Sequence, residues 1–231
     1  MAKFDKQVSC KECEHRCSIF NSLSDEEYEH FHRSRVELKF KAGQNIFKQG
    51  SAATHVVSFT EGLAKMYIEG YNNRNIIIKI IKPIEIISSP GIFFDNRHHF
   101  SLDALVDSNV CLIDSSFFKQ KVHQSPDFSD RIMRGISFGT VYTFERLTDL
   151  LQKQMPGRIA DALIYLSEKI FNAGSFDMVI SRQDLADFTS MSKESACRIL
   201  KDFKEENIIK TKGNYVQILD MPTLKHISKN G

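Results

Sequence analysis

No stretch of this sequence approaches the length of apolar chain that a bilayer demands. The longest such run, Asn75 to Ile81, falls far short of the roughly 20 residues of a spanning helix, so no membrane partner is expected. The start, Met1-Ala2-Lys3-Phe4-Asp5-Lys6, has no apolar core of the kind a secretion signal carries, which points to the cytoplasm. Cysteine is scarce and odd in number: five residues without a signal peptide exclude a disulfide framework as the main staple of the fold. Nor is there an excess of one charge. Thirty-one Lys and Arg stand against 29 Asp and Glu, a formal net charge of +2, so any contact with nucleic acid must come from a local surface. Internal repeats and low-complexity segments are missing. Nothing resembles an activated nucleophile, a phosphate-gripping glycine loop or a paired-carboxylate site, and Asp184/Asp187 and Glu205/Glu206 read as solvated helix faces. The chain is therefore not expected to be an enzyme.

What is present is ordinary globular material, 42% hydrophobic and 26% charged over 231 residues, enough for two domains. Residues 1–22 carry Cys10, Cys13 and Cys17. Ser24 with Glu27 three positions on reads as a capping box that starts a helix. Over residues 23–126 short β-prone runs follow (Asn45–Phe47, Val56–Phe59, Ala64–Ile68, Asn75–Ile81, Ile84–Ile87, Ala104–Val106 and Val110–Ile113). Gly43, Gly50, Gly62, Gly70 and Gly91 punctuate them, and the spacing predicts a compact antiparallel roll. Residues 127–154 read as one long helix. Met133, Ile136, Thr140, Phe144, Leu147 and Leu151 recur on it at steps of three and four, a stripe narrow enough for a seam with a second copy of the chain. Packing of that stripe on the chain's own roll is the alternative. Met155-Pro156-Gly157 is expected to break the helix and open a last domain, residues 155–231. There the pattern predicts a helix over Arg158–Phe171, a strand at Met178–Ile180, two short helices, Arg182–Thr189 and Lys193–Asn207, and two strands around Lys212-Gly213-Asn214. The class is α+β.

The two short helices and their three-residue joint, Ser190-Met191-Ser192, carry the strongest signal. Small Ala186 lets a second helix cross closely, Ser192 can cap that helix, and Ala196, Ile199, Leu200 and Phe203 would face inward. Lys193, Glu194, Ser195, Cys197 and Arg198 would then face out. Glu194 can accept from a cytosine amino group, and Arg198 can donate two bonds to guanine. Four residues apart on one face, the two can also fix each other. Ser181, Arg182, Gln183, Lys210 and Lys212 fall where phosphates would be held. A helical hairpin with a solvated Glu–Arg pair is the blander reading. The coincidence of cap, turn, charged face and glycine-tipped wing favours double-stranded DNA.

A glycine-punctuated roll, a long helix and a winged helix-turn-helix, in that order from Leu23 to Leu219, resemble the CRP/FNR superfamily of bacterial transcription regulators. The most specific match is Ser181-Arg182-Gln183-Asp184-Leu185-Ala186 followed by Ser192-Lys193-Glu194-Ser195-Ala196-Cys197-Arg198. The resemblance implies a β-roll like a cyclic-nucleotide-binding domain and a homodimer on a palindromic operator. Base contacts would come from Glu194 and Arg198, and RNA polymerase is an expected partner.

Two inputs to the roll come into question. The stretch matching the cyclic AMP cassette reads Ser88-Ser89-Pro90-Gly91-Ile92-Phe93, followed by Asp95-Asn96-Arg97-His98-His99-Phe100. Ser89 replaces the glutamate that would hold the ribose, and His99 falls where the phosphate-gripping arginine should be. A buried phosphodiester without a fixed cation is costly, so cyclic AMP is not expected. His98 and His99, adjacent on a strand, cannot readily chelate one ion together. The other input is sulfur. Cys10, Cys13 and Cys17, with Cys111 in Val110-Cys111-Leu112-Ile113-Asp114, resemble the ligand set of FNR-type oxygen sensors and imply a 4Fe–4S cluster. The gap before Cys17 is shorter than the FNR pattern has. Bare thiols and a zinc site, the latter with His15 in reserve as a ligand, stay open as alternatives. Two other readings compete: a regulator with an unidentified small-molecule effector, and a cysteine-based redox enzyme built around Cys10 and Cys13. The second is disfavoured because these cysteines do not open the helix of a βαβ unit.

Overall fold

The structure, a computed structural model, describes residues 11–231. The chain forms two compact units, one running through Ala64 and from Ile81 to Gly139, the other comprising Lys65–Ile80 and Thr140–Gly231.

In the first unit a 3-10 turn (Ser18–Ser22) leads to α1 (Asp25–Ser34), which starts with the expected capping box. Glu27 also pairs with Lys121, a nearly buried lysine of α2 (Ser115–Gln124). One antiparallel sheet has the order β1 (Arg35–Phe40), β8 (Ser108–Asp114), β3 (His55–Glu61), β6 (Glu85–Ile87). A further antiparallel pair joins β2 (Asn45–Phe47) to β7 (Ser101–Ala104). The strand expected at Ala104–Val106 thus lies earlier, because the Leu105 and Val106 amides are drawn to the Leu63 carbonyl in a turn. Gly62, at φ +92°, makes that turn possible, since a Cβ there would sit 2.3 Å from the Ser108 hydroxyl. A cluster of buried side chains closes the open end of the sheet. Phe20 and Phe31 stand 4.6 Å apart, and Phe118 meets Phe128 edge-on at 5.5 Å. Each such pair adds about 0.5–1.5 kcal/mol beyond the area it buries. Phe128 and Ile132 come from the first turns of α3 (Pro126–Gln152), a 27-residue helix that runs on into the second unit.

The second unit contains the neighbouring strands β4 (Ala64–Ile68) and β5 (Ile76–Ile81), the rest of α3, and the C-terminal elements. The break after α3 falls at Lys153 and Gln154, a little before the expected Met155-Pro156-Gly157. Those three residues open α4 (Met155–Tyr165), since proline costs a helix nothing in its first turn. The helix expected to reach Phe171 does so through a π turn, Leu166–Phe171, stopped by left-handed Asn172. β9 is Ser175–Asp177, not Met178–Ile180: the Met178 amide donates to the Asn214 carbonyl as the chain leaves the sheet. β9 borders β11 (Tyr215–Ile218), which pairs with β10 (Ile209–Lys212) around Gly213. Between them run α5 (Arg182–Thr189) and α6 (Lys193–Glu205). α6 ends before the expected Asn207, which is left-handed at φ 58°. α7 (Met221–Asn230) closes the chain. No described helix is long and apolar enough to cross a membrane.

Candidate nucleic-acid interface

α5 begins where its sequence prescribes. The Ser181 hydroxyl accepts from the Asp184 amide and donates to its carboxylate at 2.6 Å, and the Ser181 amide donates to the same carboxylate. Leu185, Ala186 and Phe188 are buried. Ser190, left-handed at φ 50°, turns the chain within three residues, and Ser192 caps α6 by accepting from the Ser195 amide at 3.1 Å. Ala196, Ile199, Leu200 and Phe203 are all buried, and the opposite face leaves Lys193, Glu194, Cys197 and Arg198 exposed with Ser195 half-buried. A capped helix thus presents its first two turns outward on an apolar underside.

The expected Glu194–Arg198 pair does not occur among the described residues. Glu194 is held below the usual carboxylate range by its own backbone N–H, then by Ser192. First-turn amides lie nearer to it than a guanidinium one turn on. Arg182 is likewise engaged: it donates to the Gly213 carbonyl at 3.0 Å and reaches the Met178 sulfur, tying the wing tip to the start of α5. Gln183 and Lys212 are exposed. Lys201, exposed on the same side of α6, was not singled out from the sequence. Its spacing of three from Arg198 and four from Cys197 would have revealed it.

Three cations that no sequence period marks hold α5 in place. Lys65 of β4 donates to the Asp184 carboxylate at 2.5 Å. Arg146 of α3 donates to the Phe188 carbonyl at 2.5 Å and lies 4.4 Å from that ring, and Arg158 of α4 donates to the Ser190 carbonyl at 3.0 Å. Burial pushes the Asp184 carboxyl up, but the bonds from Lys65 and Ser181 outweigh it and hold the group below the ordinary range. Such a carboxylate stabilises the fold above the unfolded-state pKa and loses that contribution as pH falls through the folded value. Lys65→Met is therefore expected to cost roughly 2–4 kcal/mol near neutral pH. That cost should shrink as pH falls through the folded-state value, in urea titrations repeated across pH, because a protonated Asp184 no longer needs Lys65. A cost unchanged from neutral to acid pH would show that Lys65 does not hold Asp184.

The cassette in the first unit is built on itself. Ser89 is buried, its hydroxyl donating to the Arg97 carbonyl at 3.0 Å and accepting from the His99 amide at 3.3 Å. Arg97 donates to the Gly50 carbonyl at 3.0 Å, and His99 meets Asp95 at 3.1 Å. Gly91 lies so close to the Arg97 carbonyl that a Cβ would come within 2.0 Å. The two histidines diverge: His98 is buried and stacked on Phe47 at 3.9 Å, whereas His99 is exposed. Ser89 stands where the resemblance places the ribose-holding glutamate, and Arg97 is turned to a backbone carbonyl.

The sulfurs divide. Cys111, on β8, lies opposite Glu37 and Ser58, so that Arg35, Ser58, Thr60 and Cys111 share one face. That face lines a partly open cavity of about 30 Å³ together with Cys13, His15, Arg16, Phe20 and Phe31. Arg35 donates to the Cys111 sulfur at 3.3 Å and pairs with Glu37. Burial pushes the Cys111 thiol up, with Arg35 opposing. Cys17 does not line this cavity but packs against the aromatic cluster, whose Phe20 and Phe31 do line it, and Cys10 lies outside the described residues. No set of three or more Cys, His, Asp or Glu side chains able to hold a metal is gathered among the described residues.

A β-roll, a long helix and a capped helix-turn-helix with a wing define a DNA-binding regulator. Residues 37–125 match the cyclic nucleotide-binding domain and residues 157–227 the Crp-like helix-turn-helix domain. Together these matches make the chain a transcription regulator of the CRP/FNR superfamily. It is 25% identical over 184 residues to the transcriptional activator protein Anr of Pseudomonas protegens, covering 78% of this chain and 75% of that one. It is 20% identical over 213 residues to a CRP-like cAMP-activated global transcriptional regulator of Mycobacterium tuberculosis, covering 90% and 95%. FixK2 from Bradyrhizobium japonicum has the same fold, with a TM-score of 0.75 at 17% identity over 84% of this chain and 96% of that one.

Proposed function

We propose that the chain works as a homodimer that reads a palindromic duplex, one α6 entering the major groove at each half-site. The observation that carries this reading is the outward face of α6, where Lys193, Glu194, Cys197 and Arg198 stand exposed over a buried apolar underside behind a serine cap. Gln183 and Lys212 lie at the flanks and serve phosphate contact, while Ser181 is engaged in the α5 cap and Arg182 holds the wing in register. Dimerisation is supported by α3. Met133, Ile136, Phe144, Leu147 and Leu151 of the expected stripe are exposed in the single chain. A row of large apolar side chains along one helix is what a symmetric partner would cover. Two half-sites would then lie about one helical turn apart.

The test is selection of duplexes from a random pool by the purified protein. An inverted repeat should emerge, with affinity falling steeply as salt rises. Enrichment of no motif would overturn the reading.

For the signal, the proposal is a response to oxygen or redox state at the N-terminal cysteines, supported by the sulfurs of Cys13 and Cys111 around one cavity. A 4Fe–4S cluster on Cys10, Cys13, Cys17 and Cys111, implied by the FNR resemblance, would need Cys17 turned out of its packing, and no step is assigned to it. Anaerobic purification with iron analysis and visible spectra decides that point. Effector-dependent operator binding by a protein with all four cysteines changed to serine would favour an unidentified small molecule instead.

A further inference from the structure

We propose that Cys13 and Cys111 form an oxidisable dithiol, a modification site at which a small hydroperoxide closes a disulfide between the N-terminal segment and β8. The inference deepens the redox reading above and rests on it only for its regulatory meaning.

The geometry is particular to these two sulfurs. Both line the same cavity, whose volume of about 30 Å³ leaves room for no more than a few waters. Cys111 is fixed from below, since Arg35 donates to its sulfur at 3.3 Å and is itself held by Glu37. Cys13 lines the same cavity from a segment held on both sides. Arg16 reaches back to the Lys11 carbonyl at 2.7 Å, and Ile19 and Phe20 are buried in the aromatic cluster. Cys17 packs against that cluster without lining the cavity, and Cys197 is on α6.

The chemistry balances with a hydroperoxide as oxidant. One thiol sulfur attacks the O–O bond and becomes a sulfenic acid, and the displaced oxygen leaves as an alcohol, or as water when the oxidant is hydrogen peroxide, taking the thiol proton. The second sulfur then attacks the sulfenic sulfur. The S–O bond breaks, water leaves with the second proton, and the S–S bond forms. Two thiols are oxidised and one peroxide is reduced.

The full-length protein, stripped of metal by a chelator under reducing conditions, is treated with hydrogen peroxide and mapped by mass spectrometry after alkylation. A single cross-link between the Cys13 and Cys111 peptides is expected, with two thiols lost in thiol titration. Cys13→Ser and Cys111→Ser should abolish it, whereas Cys17→Ser and Cys197→Ser should leave it intact. Cys111→Ala is the second variant if Cys111→Ser fails to fold. Cross-links confined to Cys10, Cys13 and Cys17, or sulfinic acid at Cys13 with Cys111 still a free thiol, would overturn the proposal. Operator binding by the reduced and oxidised forms separates the two ideas: a Cys13–Cys111 bond with unchanged affinity upholds the site and overturns the redox reading of the regulator.

Discussion

Arg198→Ala is expected to erase discrimination between the operator and unrelated duplexes while leaving residual, salt-sensitive binding. Arg198 is exposed on the outer face of α6, one turn beyond the helix cap, and no described acid holds its guanidinium. A bidentate contact from arginine to guanine carries about 1–3 kcal/mol of discrimination. Over two half-sites this amounts to roughly 2–6 kcal/mol, about a 30-fold to 10⁴-fold loss of operator affinity. Folding should be untouched, because the side chain leaves no buried partner behind. Competitive binding against operator and scrambled duplexes is the measurement. Lys212→Ala serves as the contrast: affinity for both duplexes should fall alike and the salt dependence should flatten, as for a phosphate contact. Retained discrimination by Arg198→Ala would remove α6 as the reading helix.

Leu147→Glu should leave the single chain folded and destroy the dimer. Leu147 is 53% exposed in the isolated chain and lies in line with Phe144 and Leu151, which are 63% and 75% exposed. A charge there costs the monomer little, but across a two-fold seam it would meet its own copy in an apolar interface. Sedimentation is expected to show a monomer at concentrations where the parent is dimeric. Operator affinity should fall by about 10²-fold to 10⁴-fold, since two half-sites would no longer be engaged together. A dimer that survives this change would move the interface elsewhere.

The two regions differ in how much the sequence disclosed. Helix caps were legible at Ser24 and Ser192, because a serine one residue before a helix satisfies amides that have no other partner, whereas Ser181, read as a phosphate contact, turns out to cap α5. The inward face of α6 was legible for a similar reason: four apolar positions at helical spacing have only one way to hide. Strand limits were less so. The Leu105–Val106 pair is as β-prone as its neighbours, but its amides are taken by a turn that depends on Leu63, some forty residues away. Arg182 shows the same limit in the site. Its position suggested a phosphate, and the fold gives it the wing tip instead.

From the sequence alone came the order of parts, the capped reading helix and the narrow apolar stripe, all of them patterns set within a few turns of chain by periodicity and backbone hydrogen-bonding demand. Tertiary structure decided which distant groups meet. It brought Lys65 to Asp184 and Arg146 to Phe188, it left the large apolar side chains of the α3 stripe exposed, and it set Cys13 and Cys111 around one cavity with Cys17 packed against the aromatic cluster. Such meetings depend on how sheets and helices stack across long stretches of chain, and no local period encodes them.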